Sequence, residues 1–546
     1  MKKNYFYLFL FIPLFIQSQN ILWEKSYGGN YADYLFDVQP TADYGFILAG
    51  SSLSDKSGTK EEDNQGDLDY WVWKMDENGK SDWQKSLGGT GFDLLKSIKS
   101  TKDGGFILAG TSNSDLGFHK KDSCKGNTDY WVIKLNAKGE EQWQKTIGGS
   151  GQEELLCAFQ TTDGGYILGG SSSSEKSIVL TSKNGVATTK KDPTAKSEPS
   201  RGNMDYWVVK LNSQGEVQWQ RTYGGKYADE LRSMEQTKDG GYILGGYSNS
   251  PESGDKTQAS IGIGDFWVIK IDNFGQIEWQ RTYGGNGDNQ LYVIHQTQDQ
   301  GYIIGGNSNS TNSLTAKGGT VSNGTDFWLL KTDSRGNEQW SQTYDYGKVD
   351  ILTSFVENKD HTFLIGGYAQ NDNSNENGLM LKKQENGIND YIALKVDAKG
   401  QEIWMQSVGS SGEDILRKLI ETRDGGYILA GTSNSASSLD KNSNIGSNDF
   451  WVVKLQDKAK TEPAKIAIEV FPNPVTTFAN VIIGYEYTNG TATLVDLSGR
   501  TLQQFPITSR TVPIDFTMYP EGIYIVNIKT DVRTDGIKLI KKTLKE

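Results

Sequence analysis

An all-β chain is predicted: a seven-bladed β-propeller of four-stranded blades, closed by its N-terminal strand, followed by a small β-sandwich. Three landmarks predict it, each recurring seven times at intervals of roughly 60 residues. A Trp-Gln-Lys-like stretch holds Trp23, Trp83, Trp143, Trp219, Trp279, Trp340 and Trp404. A Thr-x-Asp-Gly-Gly-like turn holds Asp43, Asp103, Asp163, Asp239, Asp299, Asp360 and Asp424. An Asp-aromatic pair opens a β-rich run at Asp69, Asp129, Asp205, Asp265, Asp326, Asp390 and Asp449. Units of this size bury their faces against their neighbours, so the array is one architecture.

Residues 215–275 show one repeat. Gly215 to Tyr223 alternates as a strand, and a Gly-rich turn leads to a second strand at Leu231–Thr237. Asp239-Gly-Gly is a hairpin signal, because glycine tolerates positive φ. Tyr242–Ser248 and Asp265–Ile271 are the remaining strands, separated by the loop Asn249–Gly264. Four short strands per unit make a propeller blade. The Trp strand Ile21–Tyr27 precedes any complete blade, and Asp449–Leu455 lacks a Trp strand after it. The two ends complement each other, so the first strand should complete the last blade and remove both edges.

The run from Asp205 through Gly215 to Trp219 resembles the tryptophan-docking motif of quinoprotein-type propellers. That resemblance implies that Leu231–Thr237 is innermost and that the indole wedges between blades. The Thr-x-Asp-Gly-Gly turn also resembles an Asp box, a structural hairpin motif. With this strand order the tight turns share one face. The long loops, Ser112–Thr128 and Ser172–Met204 among them, share the other, which is the expected binding face. Ser172–Met204, with Lys183, Lys190, Lys191 and Lys196, reads as a solvated, flexible insertion.

The net charge of −12 argues against a nucleic-acid partner. Residues 1–19 read as a Sec signal peptide: Lys2 and Lys3, then an apolar run from Tyr5 to Ile16 too short to span a bilayer. No other transmembrane segment is expected. Cys124 and Cys157 allow at most one disulfide, whose geometry the sequence does not supply.

The expected divisions are propeller 20–456, linker 457–465 and sandwich 466–546. In the last of these, Val470-Phe-Pro-Asn-Pro474, Leu494 to Arg500, Glu521 to Ile528 and Lys538 to Lys542 lie in strands separated by turns. In that order they resemble the type A sorting domain of the type IX secretion system. The resemblance implies a Bacteroidetes-type cell, the type IX machinery as partner, and release into the medium or fixation on the outer surface. The matching positions are Pro472, Asn473, Pro474, Gly522, Tyr524, Lys538 and Lys541.

Catalytic groups are sparse. His119, His295 and His361 fall at unrelated positions of the repeat and read as incidental. No His/Cys spacing suits a metal, so no metal or other cofactor is expected. Ten residues after each Trp comes Asp33, Asp93, Glu153, Asp229, Asn289, Asp350 or Asp414. A carboxylate repeated in nearly every blade suits turn capping better than catalysis, and no catalytic residue is assigned. The expected function is a non-catalytic module binding a protein or glycan on the long-loop face. The alternative is a carbohydrate-active enzyme using carboxylates at the propeller mouth.

Overall fold

The computed structural model describes residues 19–176, 179–183, 186–190, 192–311, 324–370, 389–458 and 466–542. The signal-peptide reading, except Gln19, and the linker beyond Lys458 lie outside these residues.

Seven four-stranded antiparallel sheets follow one another around a ring. In blade 1 the order from the centre outward is Asp33–Pro40, Phe46–Ser52, Asp69–Met75 and Ser81–Leu87. The innermost strands of blades 2 to 7 are Asp93–Ser100, Glu153–Gln160, Asp229–Gln236, Asn289–Gln296, Val349–Glu357 and Asp414–Glu421. Blade 7 takes its outermost strand from the other end of the chain: Asn20–Tyr27 pairs antiparallel with Asp449–Gln456. The ring is therefore closed by the two termini of the repeat array, and the edge that Asp449–Gln456 would expose is covered.

The third strand of each blade is buried along nearly its whole length because neighbouring blades cover both faces. Asp69–Met75 is buried at every position. Its Tyr70 ring lies 4.7 Å from Trp131 of the next blade, and its hydroxyl donates to the Trp131 carbonyl at 3.0 Å. Tyr130 repeats this on Trp207, Tyr206 on Trp267 and Tyr391 on Trp451. Burying one such ring contributes about 2–3 kcal/mol. The aromatics of the Asp-aromatic pairs are thus core.

The outer-strand indoles wedge between blades. Trp83 lies 6.0 Å from Phe106 of blade 2, Trp143 5.2 Å from Tyr166 of blade 3, and Trp23 6.1 Å from Phe46 of blade 1. Trp340 differs: its indole N–H donates to the Ala398 carbonyl at 3.2 Å.

Residues after Gln456 form a separate β-unit. One sheet holds Ile468–Phe471, Phe478–Ile483 and Thr511–Asp515. The other runs in the order Thr501–Ile507, Gly490–Asp496, Gly522–Thr530 and Thr534–Lys541. Val481, Ile483, Leu494, Ile514, Phe516, Val526 and Leu539 fill the space between them. This unit touches the tight-turn face. Thr511 donates to Asp43 Oδ2 at 2.8 Å, Arg510 pairs with Glu77, and the Ile466 N–H reaches the Tyr44 hydroxyl at 3.2 Å.

Candidate functional site

The loop-rich face is built on buried acids. Asp93 is fully buried at the start of its strand. Its Oδ2 accepts the Gly89 N–H at 2.7 Å and the Ser114 hydroxyl at 2.9 Å. Asp33, Asp229, Glu153 and Asp414 hold the corresponding N–H groups of Gly29, Gly225, Gly149 and Ser410. Each repeated acid is a cap on the turn that enters its blade, so the ring of carboxylates is committed to structure.

Each of these acids faces the Asp of the preceding Asp-aromatic pair. Asp69 accepts the Gln65 N–H at 2.6 Å, and a Cβ on Gly88 would lie 1.9 Å from its other oxygen, so only glycine fits that turn. Burial, then the charge of Asp93, pushes Asp69 up to about 7. Burial and Asp229 bring Asp205 to about 7, while burial holds Asp33 and Asp414 at about 6. At the boundary of blades 4 and 5 the partner is neutral, and the Asn289 amide donates to Asp265 Oδ1 at 3.0 Å. After Trp340 the glycine becomes Asp345, and oxygens of Asp326, Asp345 and Asp350 lie within 4.8 Å of one another. This acidic trio departs from the repeat in a way the seven-fold pattern did not signal.

The long loops are tied down by a buried lysine. Lys60, Lys120, Lys196, Lys256 and Lys441 are all buried. Lys120 and Lys256 donate to Ser112 and Ser248 at 2.9 and 2.7 Å. Lys196 reaches the Ser174 carbonyl at 2.8 Å and the Ser200 hydroxyl at 2.7 Å. The expectation of a solvated, flexible insertion is therefore corrected for Asp192–Met204 alone, and Lys191 lies outside the described residues. The chain from Asp192 onward packs like its counterparts, and Val179–Lys183 pairs with Val186–Lys190 as an inserted hairpin. The signal lay in the spacing, since Lys60, Lys120, Lys196 and Lys256 each stand nine residues before the Asp of an Asp-aromatic pair and Lys441 eight, but a lysine in a polar loop reads as a solvated charge.

At the loop tips, large apolar side chains face solvent. Phe118 is 66% exposed, Leu116 65%, Ile263 69%, Leu439 56% and Tyr31 61%. Phe118 and Leu439 adopt φ of 51°, at positions where the equivalent turns of blades 1 and 4 carry Gly58 and Gly254 at 56° and 57°. A bulky residue in this left-handed region costs about 1–3 kcal/mol.

On the opposite face the Asp-Gly-Gly turns form a second structural ring. Asp43, Asp103, Asp163, Asp239 and Asp299 each accept a Thr hydroxyl and pair with a third-strand lysine, as in Lys74–Asp43 at 2.6 Å and Lys134–Asp103 at 2.9 Å. Asp424 does the same with Thr422 and Lys454. Burial opposes the charge of Asp43, but Lys74, Thr41 and Thr511 outweigh it and hold the acid at about 2. Asp360 departs from the set: it takes the Thr362 hydroxyl at 2.6 Å, and Lys395 lies 3.6 Å from Asp457 instead.

His295 is not incidental. It sits between Glu235 at 3.0 Å and Glu357 at 3.6 Å on neighbouring inner strands. Burial lowers its pKa, but the two glutamates outweigh that and raise it. His119 Nδ1 accepts the Gly88 N–H at 3.3 Å, and His361 sits at φ 61° in the variant turn of blade 6. Cys124 and Cys157 are both free thiols.

In the C-terminal unit the sorting-motif residues converge. The Asn473 amide donates to the Lys538 carbonyl at 3.0 Å, and its oxygen accepts the Ile540 N–H at 3.0 Å. Lys541 reaches the Thr476 carbonyl and pairs across the sheet with Gly522. Tyr524 donates to the Pro520 carbonyl at 2.7 Å. The Pro472-Asn473-Pro474 segment is thereby fastened along the last strand.

These features define a propeller carrying an export module. Residues 469–542 match the family described as Secretion system C-terminal sorting domain. The chain is a type IX cargo, exported to the cell surface or into the medium. No curated protein sequence matches it. Among solved structures it is similar to puromycin hydrolase, at 9% identity and TM-score 0.41, over 82% of this chain and 58% of that one. It is also similar to PorZ, a surface component of the type-IX secretion system of Porphyromonas gingivalis, at 9% identity and TM-score 0.19, over 96% and 86%. A Synechocystis apocarotenoid oxygenase variant gives 9% identity and TM-score 0.35, over 82% and 95%. The described residues contain no helix long and apolar enough to cross a membrane.

Proposed function

We propose that the exported propeller is a non-catalytic binding module that engages an extracellular protein or glycan through its long-loop face. The observation that carries this reading is the pair of loop tips at Phe118 and Leu439. Each places a large apolar side chain in solvent, in a backbone conformation that glycine would occupy without strain. Strain held at an exposed tip has no use in the fold and serves contact with something outside it. The acids of the same face support the reading, since each repeated one is occupied by a turn it caps.

Replacing both residues, Phe118→Gly with Leu439→Gly, tests the proposal on the mature chain. The double variant should melt higher than the parent, because strain is relieved. It should also lose binding to glycan arrays or to the surfaces of neighbouring cells. A variant that binds as the parent does would overturn the loop-tip assignment. Polysaccharide cleavage by the parent chain would overturn the non-catalytic reading.

A further inference from the structure

The innermost strand of every blade carries a β-bulge at the same place. In blade 1, Leu35 pairs with Gly50 and Asp37 with Ala49, leaving Phe36 as the extra residue. The same register shift occurs at Lys96, Leu156, Arg232, Tyr292, Thr353 and Arg417. The leucine just before each bulge never changes: Leu35, Leu95, Leu155, Leu231, Leu291, Leu352 and Leu416 are all fully buried between blades. The bulged residue changes in almost every blade. A bulge re-aims a side chain, and here it aims a set of differing side chains into the central channel. The leucine is kept for packing, and the varied residue beside it makes the blades differ in what they present to the channel.

The chemistry of that tier is cationic, in a chain whose net charge is −12. Lys96 Nζ lies 3.9 Å from the centre of the Phe36 ring, and the Arg417 guanidinium carbon lies 5.5 Å from the centre of the same ring. Arg232 lies 5.9 Å from the Tyr292 ring. The nearby acids are already engaged. Glu230 holds Arg232 at 2.5 Å, Glu154 accepts the Gln152 amide at 2.6 Å, and Asp37 pairs with Lys99 at 3.4 Å. Neither the Lys96 nor the Arg417 side chain has a hydrogen bond or ion pair among the described residues, and Arg417 Nε is buried without a partner. Burial, then Arg417, pulls Lys96 down to about 8 against the weaker opposing charge of Glu154. Two like charges brought together over one ring, with no anion between them, are costly unless a ligand supplies the anion.

We propose that Lys96 and Arg417 form an anion site in the central channel, binding an oxyanion group of a ligand that enters from the loop-rich face. The guanidinium offers a planar pair of donors and the ammonium a point charge, which together suit a carboxylate or a sulfate. Phe36 gives a ring surface beside it and Tyr292 another beside Arg232, so an acidic saccharide, as uronate or as sugar sulfate, fits the tier. This assignment rests on the channel residues and is independent of Phe118 and Leu439.

Calorimetric titration of the mature chain with sodium sulfate, trigalacturonate and neutral galactotriose tests it. Binding of either anion, with none of galactotriose, supports the site and says which oxyanion it takes. Arg417→Gln and Lys96→Gln should each weaken that binding at least tenfold, while Lys145→Gln on an outer strand leaves it unchanged. The unliganded Arg417→Gln chain should melt no lower than the parent, because one of two opposed like charges is gone. Phe118→Gly should leave anion binding intact, which separates failure at the loop tips from failure in the channel. The proposal is overturned if neither anion binds, or if both channel variants bind like the parent. It is also overturned if Arg417→Gln melts well below the parent, since the cation would then be a structural clamp on Phe36.

Discussion

Asn289 stands where six other blades carry a carboxylate, and it shows what each acid pair lacks. Its amide supplies Asp265 Oδ1 with a donor at 3.0 Å. The corresponding oxygen of Asp69, opposite Asp93, is buried without one. Asp93→Asn is therefore expected to hold stability at or above the parent level at neutral pH. Asp93→Ala strips the acceptor from the Gly89 N–H and the Ser114 hydroxyl and should cost about 2–3 kcal/mol. The same pairs set a pH dependence. Asp69 and Asp205 at about 7, and Asp33 and Asp414 at about 6, bind protons more tightly folded than unfolded. Their contribution is complete below the ordinary carboxylate range near ~4 and is lost as pH rises through 6 to 7. Asp43, held at about 2, works in the opposite sense: its contribution is complete above ~4 and is lost only as pH falls towards 2. The melting temperature should rise from pH 7.5 to pH 5, and Asp93→Asn should flatten that slope. A parent melting curve that is level or falls over this interval would refute the shared-burial account of the pairs.

At the scale of elements, the strand that matters most is Asn20–Tyr27. It covers Asp449–Gln456, and its Glu24 accepts the Trp451 indole N–H at 2.7 Å. Deleting Ile21–Tyr27 from the mature chain should lower the melting temperature by many degrees and produce dimers or larger species through the bared edge. A monomer with unchanged melting would show that the ring does not depend on this closure. The strand and its partner were legible in the sequence because both keep the repeat's landmarks while lacking its other half. So were the tryptophans and the Thr-x-Asp-Gly-Gly turns, whose partners lie within one unit or at a fixed distance from it. The loop lysines keep a fixed spacing, nine residues before the Asp-aromatic pair for both Lys60 and Lys196, but a lysine in a polar loop reads as a solvated charge, so their burial was not legible. The channel residues were hidden for a different reason. Lys96 and Arg417 hold the same slot as Phe36, and a search for repetition discards whatever fails to repeat. His295 looked incidental because Glu235 and Glu357 come from other blades.

For the whole molecule, the question is how loosely the export module is joined to the cargo it carries. Residues 466–542 have their own core and meet the propeller mainly through polar groups, Arg510 with Glu77 and Thr511 with Asp43. Lys74 remains 2.6 Å from Asp43 without any help from the sorting domain, so the blade 1 turn keeps its counter-ion when that domain is gone. The ring is closed by strands that end at Gln456, before the export module begins. Stability of the cargo and delivery of the cargo should therefore separate cleanly. A chain lacking Lys465–Glu546 is expected to fold, to melt within a few degrees of the parent propeller transition, and to accumulate in the periplasm of its native cell. The full chain should reach the outer surface or the medium. Fractionation followed by melting of the purified truncated chain reads both outcomes. Normal delivery of the truncated chain would remove the sorting domain from the export route. A truncated chain that is retained but unfolded would show that Arg510 and Thr511 hold blade 1 together.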